Sequence, residues 1–247
     1  MSRAVEWLTP DWPVPARVHV LSTLRTGGCS AAPYDSLNLA AHVGDSDGCV
    51  RDNRRILRDA ASLPAEPLWM QQVHGTDVVV HDGNRAGAPT ADAAIATLPG
   101  QVCAVMTADC LPVVLADRAG TRVGVAHAGW RGLVAGVVEA TLAALDCAPA
   151  DTVAWLGPAI GPGAFEVGAE VRDAFASRLP ALGACFTPNS RGRFQADLYS
   201  LARRQLAEAG VASVHGGTWC TASDPRRFFS FRRDGTTGRM ATLAWLG

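Results

Sequence analysis

Short apolar runs alternate with longer, helix-like segments along most of this chain. The runs at residues 102–106, 113–116 and 122–127 are rich in valine and alanine, which is typical of strands buried on both faces. Pro112 cannot donate a ladder hydrogen bond, so we expect the second of these strands to begin after it. Similar runs predict further strands at residues 16–26, 77–80, 152–156, 211–214 and 240–246.

The segments between these runs predict helices at residues 49–61, 133–145, 165–179 and 199–209. The sequence Asp45-Ser46-Asp47 supplies N-cap residues for the first helix, and Gly210 is a typical residue to end the last one. Residues 133–142 are apolar at nearly every position, as expected of a helix buried against a sheet. Alternating strands and helices of this length predict an α/β fold.

Length and charge limit the class of protein. A chain of 247 residues without internal repeats or low-complexity linkers favours one domain over residues 1–247. The formal net charge of −1 provides no overall basic field that would attract nucleic acid. No apolar stretch is long enough to span a bilayer, and residues 1–15 lack the apolar core of a signal peptide. We therefore expect a cytoplasmic protein that binds neither nucleic acid nor membrane.

The cysteines and basic residues exclude several kinds of site. Seven scattered cysteines without a CxxC pair exclude a disulfide framework and a structural four-cysteine zinc site. All 22 basic residues are arginine, which excludes Schiff-base catalysis, a pyridoxal anchor and a P-loop lysine. Any anion held by a permanently charged side chain must therefore be held by arginine, whose planar fork suits phosphate and carboxylate.

Candidate chemistry lies at the ends of the central strands. Cys110 follows the strand at 102–106, and His127 closes the strand at 122–127, so both side chains can face one cleft. A thiolate and an imidazole are suitable zinc ligands, and they are equally a nucleophile with its general base. A third interpretation is that Cys110 is only a buried free cysteine and His127 only a hydrogen-bonded strand residue, with no chemical role for either. The two residues alone leave all three interpretations open.

Three motifs point to a known family. They are Gln72-Val73-His74-Gly75, Ala108-Asp109-Cys110-Leu111-Pro112 and the six residues at 127–132, HAGWRG. In this order, they make the chain resemble the laccase-domain family of purine nucleoside phosphorylases, also described as multicopper polyphenol oxidases. Residues 34–39, 157–162 and 228–234 extend the resemblance over nearly the whole chain. It implies a single α/β domain with two mixed β-sheets packed between helical layers.

The resemblance also implies site residues. Carried over motif by motif, His74, Cys110 and His127 are expected to bind one zinc ion and to leave it an open position. Cys110, His127 and Arg25 are the expected catalytic residues. Asp92 is expected to contact the metal ligands without binding the metal ion itself. Substrate binding is expected from Arg25, Asn53, Gln72 and Arg131.

Two stretches outside these motifs bear on anion binding. The glycine-rich start of the helix after Gly129 is a weaker candidate for an anion site. Residues 226–239 hold five arginines, several aromatic residues and one acid. This stretch is too short for a nucleic-acid track on a near-neutral protein, and it fits a small anionic substrate or structural salt bridges better.

The implied reaction is phosphorolysis of adenosine, inosine, guanosine and methylthioadenosine, with adenosine deamination as a second activity. The partners would then be purine nucleosides and phosphate, and the protein a monomer or homodimer. Two alternatives remain open from the residues. One is a metal-free hydrolase that cleaves an amide in cell-wall precursors, with Cys110 as nucleophile and His127 as base. The other is a non-catalytic, zinc-stabilised interaction protein.

The family's second description implies copper, which the histidine count argues against. A multicopper oxidase needs a blue-copper site and a trinuclear cluster, and their histidine ligands outnumber the six histidines of this chain. No His-x-His pair is present. We therefore expect zinc rather than copper, and no laccase activity.

Overall fold

The computed structural model describes residues 4–83 and 87–247, so part of the loop predicted at 83–89 lies outside the described residues. The helices are α1 Asp47–Ala60, α2 Trp130–Ala135, α3 Val137–Leu145, α4 Ala169–Arg178, α5 Leu198–Glu208 and α6 Phe231–Asp234. The strands are β1 Trp7–Leu8, β2 Val18–Thr23, β3 Val78–Val80, β4 Ala93–Ala96, β5 Val102–Thr107, β6 Leu111–Asp117, β7 Val123–Ala128, β8 Thr152–Leu156, β9 Glu166–Val167, β10 Phe186–Pro188, β11 Phe194–Ala196, β12 Ser213–Gly216 and β13 Met240–Leu246. Within these ranges, no helix combines the length and apolar composition needed to cross a bilayer.

Two large sheets form the centre of the molecule. A mixed six-stranded sheet has the order β12-β8-β6-β7-β4-β3, and an antiparallel four-stranded sheet has the order β1-β2-β13-β5. The chain crosses from the second sheet to the first between β5 and β6, at the turn that holds Cys110. A third, three-stranded sheet, β10-β11-β9, was not predicted, since its strands have only two or three residues each.

Three apolar cores show how the layers pack. The inner faces of the two large sheets meet in one core, which includes Val105 of β5 and Val114 of β6. The outer face of the six-stranded sheet packs against α3, α4 and α5. The outer face of the four-stranded sheet packs against α1 through Leu57. The predicted α/β fold, with sheets between helical layers, is confirmed.

Several predicted boundaries differ from the structure for local reasons. The helix predicted at 133–145 is two helices, because Gly136 adopts a φ of 105° that ends α2. Phe165 leads directly into β9 rather than into the first turn of α4, which starts after Gly168. Pro112 lies inside β6 instead of before it; its carbonyl accepts a hydrogen bond from Gly157 at 2.9 Å. Since α2 has only six residues, its dipole is short and supports an anion site poorly.

The core between the six-stranded sheet and α4 is expected to make a large contribution to stability. Phe175 is fully buried there, with its ring centroid 5.7 Å from that of Phe186. Phe175→Ala is expected to lower the free energy of unfolding by about 3–5 kcal/mol, because the cavity would not be refilled. Urea denaturation followed by circular dichroism measures the change. Leu98→Ala, at a side chain 59% exposed, is the control and should change stability by less than about 0.5 kcal/mol.

Candidate metal centre and its cavity

The strand order places three chemically important residues at the same end of three adjacent strands in the six-stranded sheet. Cys110 immediately precedes β6, and His127 lies in the neighbouring strand β7, where it pairs with Pro112 of β6. Asp92 immediately precedes β4, which pairs with β7 on its other side. The antiparallel register therefore brings residues 17 to 35 positions apart in the sequence to the same end of three adjacent strands.

His74 completes a cluster of three donors with Cys110 and His127. One donor atom from each residue lies within 4.8 Å of the others. The Cys110 Sγ and His74 Nε2 atoms are 3.8 Å apart, and the two imidazole centroids are 4.7 Å apart. Two ligands at tetrahedral angles and ordinary zinc bond lengths would be about 3.6 Å apart for this N–S pair. The donor types and their spacing therefore fit a single metal ion.

The loop that carries His74 is held by two polar side chains. The buried Asp92 carboxylate accepts backbone hydrogen bonds from Val73, His74 and Gly75, at 3.1, 2.9 and 2.7 Å. The Gln72 amide donates to the Met106 carbonyl and accepts from the Met106 N–H of β5. These bonds hold His74 at a φ of 61°, in the left-handed region that non-glycine residues rarely adopt.

Asp92 also orients the second imidazole. Its Oδ1 lies 2.8 Å from His127 Nδ1, so Nδ1–H donates to the carboxylate and Nε2 is left for the cluster. Burial opposes ionisation of Asp92, but the hydrogen bonds from His127, Gly75 and Val73 outweigh it and lower the pKa of the carboxyl group. The expected supporting position of Asp92 thus matches the geometry: one carboxylate holds the backbone of one histidine and the ring of another.

Cys110 lies in an environment that favours its thiolate. Burial raises the pKa of the thiol, but the charges and hydrogen bonds of His127 and His74 outweigh burial and lower it to about 6. For His127, burial lowers the pKa, while Cys110 and Asp92 raise it to about 9. Without a metal ion, the pair is therefore a thiolate beside an imidazolium, which suits nucleophilic chemistry; binding of a metal ion would displace the proton from His127 Nε2.

Gly129 keeps the space around these donors open. A Cβ atom at this position would lie 2.6 Å from His74 Cδ2 and 3.0 Å from Cys110 Sγ. Neither separation is compatible with the present side-chain positions, so only glycine fits between them. The GWRG sequence therefore places its first glycine against the side chains of His74 and Cys110.

The cluster lies in a cavity of about 430 Å³, a volume in the range of small-molecule sites. Its wall includes three arginines, Arg131, Arg232 and Arg239. Each guanidinium lies over an aromatic ring of the same wall: Arg131 over Trp130 at 4.5 Å, Arg232 over Phe165 at 5.0 Å and Arg239 over Phe231 at 5.8 Å. In the described part of the chain, none of the three forms an ion pair with a carboxylate, although ten other arginines do.

Asp109 connects the Cys110 turn to this arginine wall. Its backbone has a φ of 93°, and its carboxylate accepts hydrogen bonds from the Thr221 hydroxyl and the Arg232 N–H, both at 2.6 Å. Its carbonyl accepts from the Ile160 N–H at 3.0 Å. The residue before the cysteine ligand therefore fixes two other segments of the cavity wall, and its carboxylate is already occupied by protein donors.

The structure places four of the six predicted catalytic and binding residues at this cavity. Cys110, His127, Gln72 and Arg131 line it, and Gln72 contributes by clamping the His74 loop. Arg25 lies elsewhere, bonded to Asp35 and to the Pro225 carbonyl and stacked on Phe229. Asn53 is fully buried among loop backbone atoms. The catalytic and substrate-binding roles expected of Arg25, and the substrate contact expected of Asn53, do not fit this geometry.

Three cavity residues were not predicted individually. The basic, aromatic stretch at 226–239 indicated an anionic ligand, but it did not distinguish Arg232 and Arg239 from the arginines that form ordinary ion pairs. His42 also lines the cavity, and no motif drew attention to it. Partial burial and the nearby Arg239 and Arg54 lower the pKa of its imidazole, which favours the uncharged form.

Known proteins resemble this chain over almost its whole length. A family model described as multi-copper polyphenol oxidoreductase laccase matches residues 19–247. A purine nucleoside phosphorylase of Pseudomonas aeruginosa is 54% identical over 241 residues, covering 97% of this chain and 98% of the relative. Escherichia coli YfiH, which carries the same enzyme name, is 51% identical over 239 residues, with coverage of 97% and 98%.

Solved structures agree with the sequence comparisons. The Neisseria meningitidis protein NMB0706 superposes with a TM-score of 0.94 at 50% identity, over 97% of this chain and 98% of that one. YlmD from Geobacillus stearothermophilus gives a TM-score of 0.91 at 32% identity, over 100% and 98%. The resemblance inferred from the three motifs is confirmed: the chain belongs to the multi-copper polyphenol oxidoreductase laccase family, which includes relatives named purine nucleoside phosphorylase.

Proposed function

We propose that this protein is a zinc-dependent purine nucleoside phosphorylase that uses adenosine, inosine, guanosine and methylthioadenosine, with adenosine deamination as a second activity. One observation carries the proposal: three arginines without acidic partners line the same cavity as the His-Cys-His cluster. The enzyme name of relatives more than 50% identical to this chain supports the substrate class.

The arginines supply the anion site that phosphorolysis requires. Arg232 donates to the Glu166 carbonyl, and Arg239 donates to the Thr237 and Gly238 carbonyls, in each case through one guanidinium nitrogen. None of the three guanidinium groups is paired with a carboxylate, so their positive charges and remaining N–H groups can serve an incoming dianion. Guanidinium groups bind phosphate through paired, charge-assisted hydrogen bonds. This arrangement replaces the anion role first expected of Arg25, which lies outside the cavity.

The remaining wall suits a purine nucleoside. Met106, Ile160 and Leu198 provide apolar surface for a flat base, and His42, whose lowered pKa favours the uncharged imidazole, offers a hydrogen-bonding group. In phosphorolysis, a phosphate oxygen bonds to ribose C1′ as the bond from C1′ to the purine nitrogen breaks. Arginines that hold phosphate and a wall that holds the nucleoside convert this encounter into a positioned one, which lowers the barrier.

His74, Cys110 and His127 are the residues that would hold the zinc ion. Their donor types and spacing fit zinc, and three protein ligands are typical of catalytic rather than structural zinc sites. When bound, zinc supplies Lewis acidity and can activate water for the deamination reaction. The protein's own contribution is orientation, because Asp92 fixes the His127 ring and the His74 backbone.

The description of the family does not extend to laccase chemistry in this chain. Within residues 4–83 and 87–247, one group of histidine, cysteine and acidic residues has the geometry to hold a metal ion, and it offers three donors. A blue-copper site plus a trinuclear cluster needs many more. We therefore expect copper-loaded protein to show neither intense blue absorbance nor stoichiometric oxygen reduction with a phenolic substrate.

The test is incubation of adenosine with the metal-containing protein, with and without phosphate, followed by chromatography. Adenine and ribose 1-phosphate are expected to form only with phosphate, and inosine is expected to form without it. Release of adenine in the absence of phosphate would contradict phosphorolysis, and unchanged adenosine under both conditions would contradict the proposal as a whole.

A second candidate function is favoured by one observation, the thiolate–imidazolium pair of Cys110 and His127. This pair matches the nucleophile and base of a cysteine hydrolase. If adenosine stays intact while the metal-free protein cleaves an amide in a cell-wall precursor, and if alkylation of Cys110 stops that cleavage, the hydrolase is the correct assignment.

Arg131 provides a specific test of the phosphate site. It lines the cavity and is exposed to solvent, and within the described residues no hydrogen bond involves its guanidinium. Arg131→Ala is therefore expected to spare the fold and to raise the KM for phosphate by about 10- to 100-fold, the effect of losing a charge-assisted contact. The KM for adenosine should change much less. Arg55→Ala on α1, an exposed residue paired with Asp52, is the control and should change neither constant.

A further inference from the structure

Two cysteines far from the metal centre face each other. Cys29 lies in the loop after β2, and Cys49 lies in the first turn of α1. The Cys29 Sγ atom is 3.5 Å from the Cys49 carbonyl oxygen, and the Cys49 Sγ atom is 3.8 Å from the Cys29 carbonyl oxygen. Because the contacts are reciprocal, each thiol lies over the backbone of the other residue. Both are free, Cys29 is exposed and Cys49 is partly exposed, so a reagent can reach them.

Asn53 joins this pair to the loop that follows β2. Its Oδ1 accepts hydrogen bonds from the Cys29 N–H at 2.8 Å and from the Cys29 thiol at 3.3 Å. Its Nδ2 donates to the Ser30 hydroxyl and to the carbonyls of Ser36 and Asn38. The position of Cys29 is therefore linked to a buried hydrogen-bond network rather than to a free loop.

The network continues to the cavity. Asn38 Oδ1 accepts a hydrogen bond from the backbone N–H of Arg239 at 3.0 Å, and Arg239 is one of the three arginines of the cavity wall. The path from Cys29 through Asn53 and Asn38 thus reaches a residue proposed to bind phosphate. Within the described residues, the other partly exposed cysteines do not form a reciprocal pair of this kind.

We propose that Cys29 and Cys49 are a redox modification site that forms a reversible disulfide, and that the disulfide alters phosphate binding through Asn53, Asn38 and Arg239. The second part rests on the proposed function. Disulfides require sulfur atoms on facing, adjacent backbone segments, which the reciprocal contacts provide. Forming the bond removes the Cys29 thiol hydrogen bond to Asn53, which is the first step of the path.

The reaction is thiol–disulfide exchange with a small-molecule disulfide such as glutathione disulfide. The Cys29 thiolate attacks one sulfur of the reagent and releases one molecule of thiol, giving a mixed disulfide. The Cys49 sulfur then attacks the Cys29 sulfur and releases the second thiol. The protein loses two protons and two electrons, and the reagent is reduced to two thiols. Burial and the neighbouring Cys49 raise the pKa of Cys29, so the exchange should accelerate as the pH is raised above neutrality.

The experiment treats the metal-containing, full-length protein with graded ratios of oxidised and reduced glutathione. Peptide mapping without reduction is expected to identify a Cys29–Cys49 linkage, and dithiothreitol should reverse it. Crosslinking a loop of this length should raise the melting temperature by roughly 5 °C. Cys49→Ser is expected to stop at a glutathione adduct on Cys29, because the resolving thiol is missing. Cys147→Ser, at a partly exposed cysteine elsewhere, should behave as the wild-type protein.

The outcomes separate the two parts of the proposal. No Cys29–Cys49 linkage in folded protein, under conditions that oxidise exposed thiols, would overturn the modification site whatever the enzyme does. The KM for phosphate is expected to rise at least about threefold on oxidation and to recover on reduction. A linkage that forms without any change in this KM, in protein that does perform phosphorolysis, would overturn the coupling to Arg239.

Discussion

Cys110→Ala is expected to abolish stoichiometric metal binding and to reduce phosphorolysis by more than about 100-fold. Removing a residue that only hydrogen-bonds to a metal ligand typically costs about 10- to 100-fold in metal affinity or activity. Cys110 should cost more, because it supplies the only anionic donor of the cluster itself. Elemental analysis of protein purified without added metal, followed by the adenosine assay, measures both effects.

Two further variants serve as comparisons for Cys110→Ala. His74→Ala should reproduce the loss of metal and activity, since His74 lies on a separate loop but belongs to the same cluster. Cys147→Ala should retain both, because Cys147 lies beyond the end of α3, away from the cavity wall. Undiminished metal content in Cys110→Ala would refute the assignment of the ligands. Full metal content with lost phosphorolysis in that variant would indicate that the Cys110 thiol takes part in the reaction without binding the metal ion.

The second large effect, on metal affinity, is expected from Gly129→Ala, which adds a single methyl group. The added methyl group would lie 2.6 Å from His74 Cδ2 and 3.0 Å from Cys110 Sγ, so both ligands must move. We expect at least a 10-fold loss of metal affinity with a melting temperature within a few degrees of the wild-type value. Metal titration with a competing chelator and differential scanning calorimetry measure the two quantities.

A matched substitution controls for the change from glycine to alanine itself. Gly163→Ala introduces the same methyl group at a position where no heavy atom lies within 4 Å of the new Cβ. Its metal affinity should equal that of the wild-type protein. Equal metal affinities for Gly129→Ala and Gly163→Ala would show that the ligands do not need the space at Gly129.

The strand pattern placed Cys110 and His127 near each other, whereas His74 and the assignment of all three as metal ligands came from the resemblance of the motifs to a known family. Buried, valine-rich strands were recognisable from the sequence. Polar residues next to such strands come close together when the strands are neighbours and the residues lie at the same end of them. The β8 and β13 boundaries agree with the predicted ranges for the same reason. The short strands β9–β11 carry too few residues for a periodic signal, so they could not be found in this way.

The arginine wall could not be derived from the sequence. Arg131, Arg232 and Arg239 come from separate segments, and only the folded chain shows that each lies over an aromatic ring without an acidic partner. Arg25 illustrates the converse, because a basic residue before two glycines looked suitable for an anion but is occupied by Asp35 and Pro225. Asn53 stabilises a loop through four neighbouring residues, which a helical pattern does not reveal.

The bonds of Asp92 have a consequence for metal selectivity. The carboxylate fixes the His74 backbone and the His127 ring through protein contacts alone, so these two ligands are in place before any ion arrives. A site of this kind has no coupled folding step that could discriminate against an unsuitable ion, unlike a zinc finger. Intrinsic affinity then follows the general order in which copper(II) exceeds zinc. The ion found in a purified sample should therefore follow its supply during growth and purification, and copper recovered from an overloaded preparation would record that exposure.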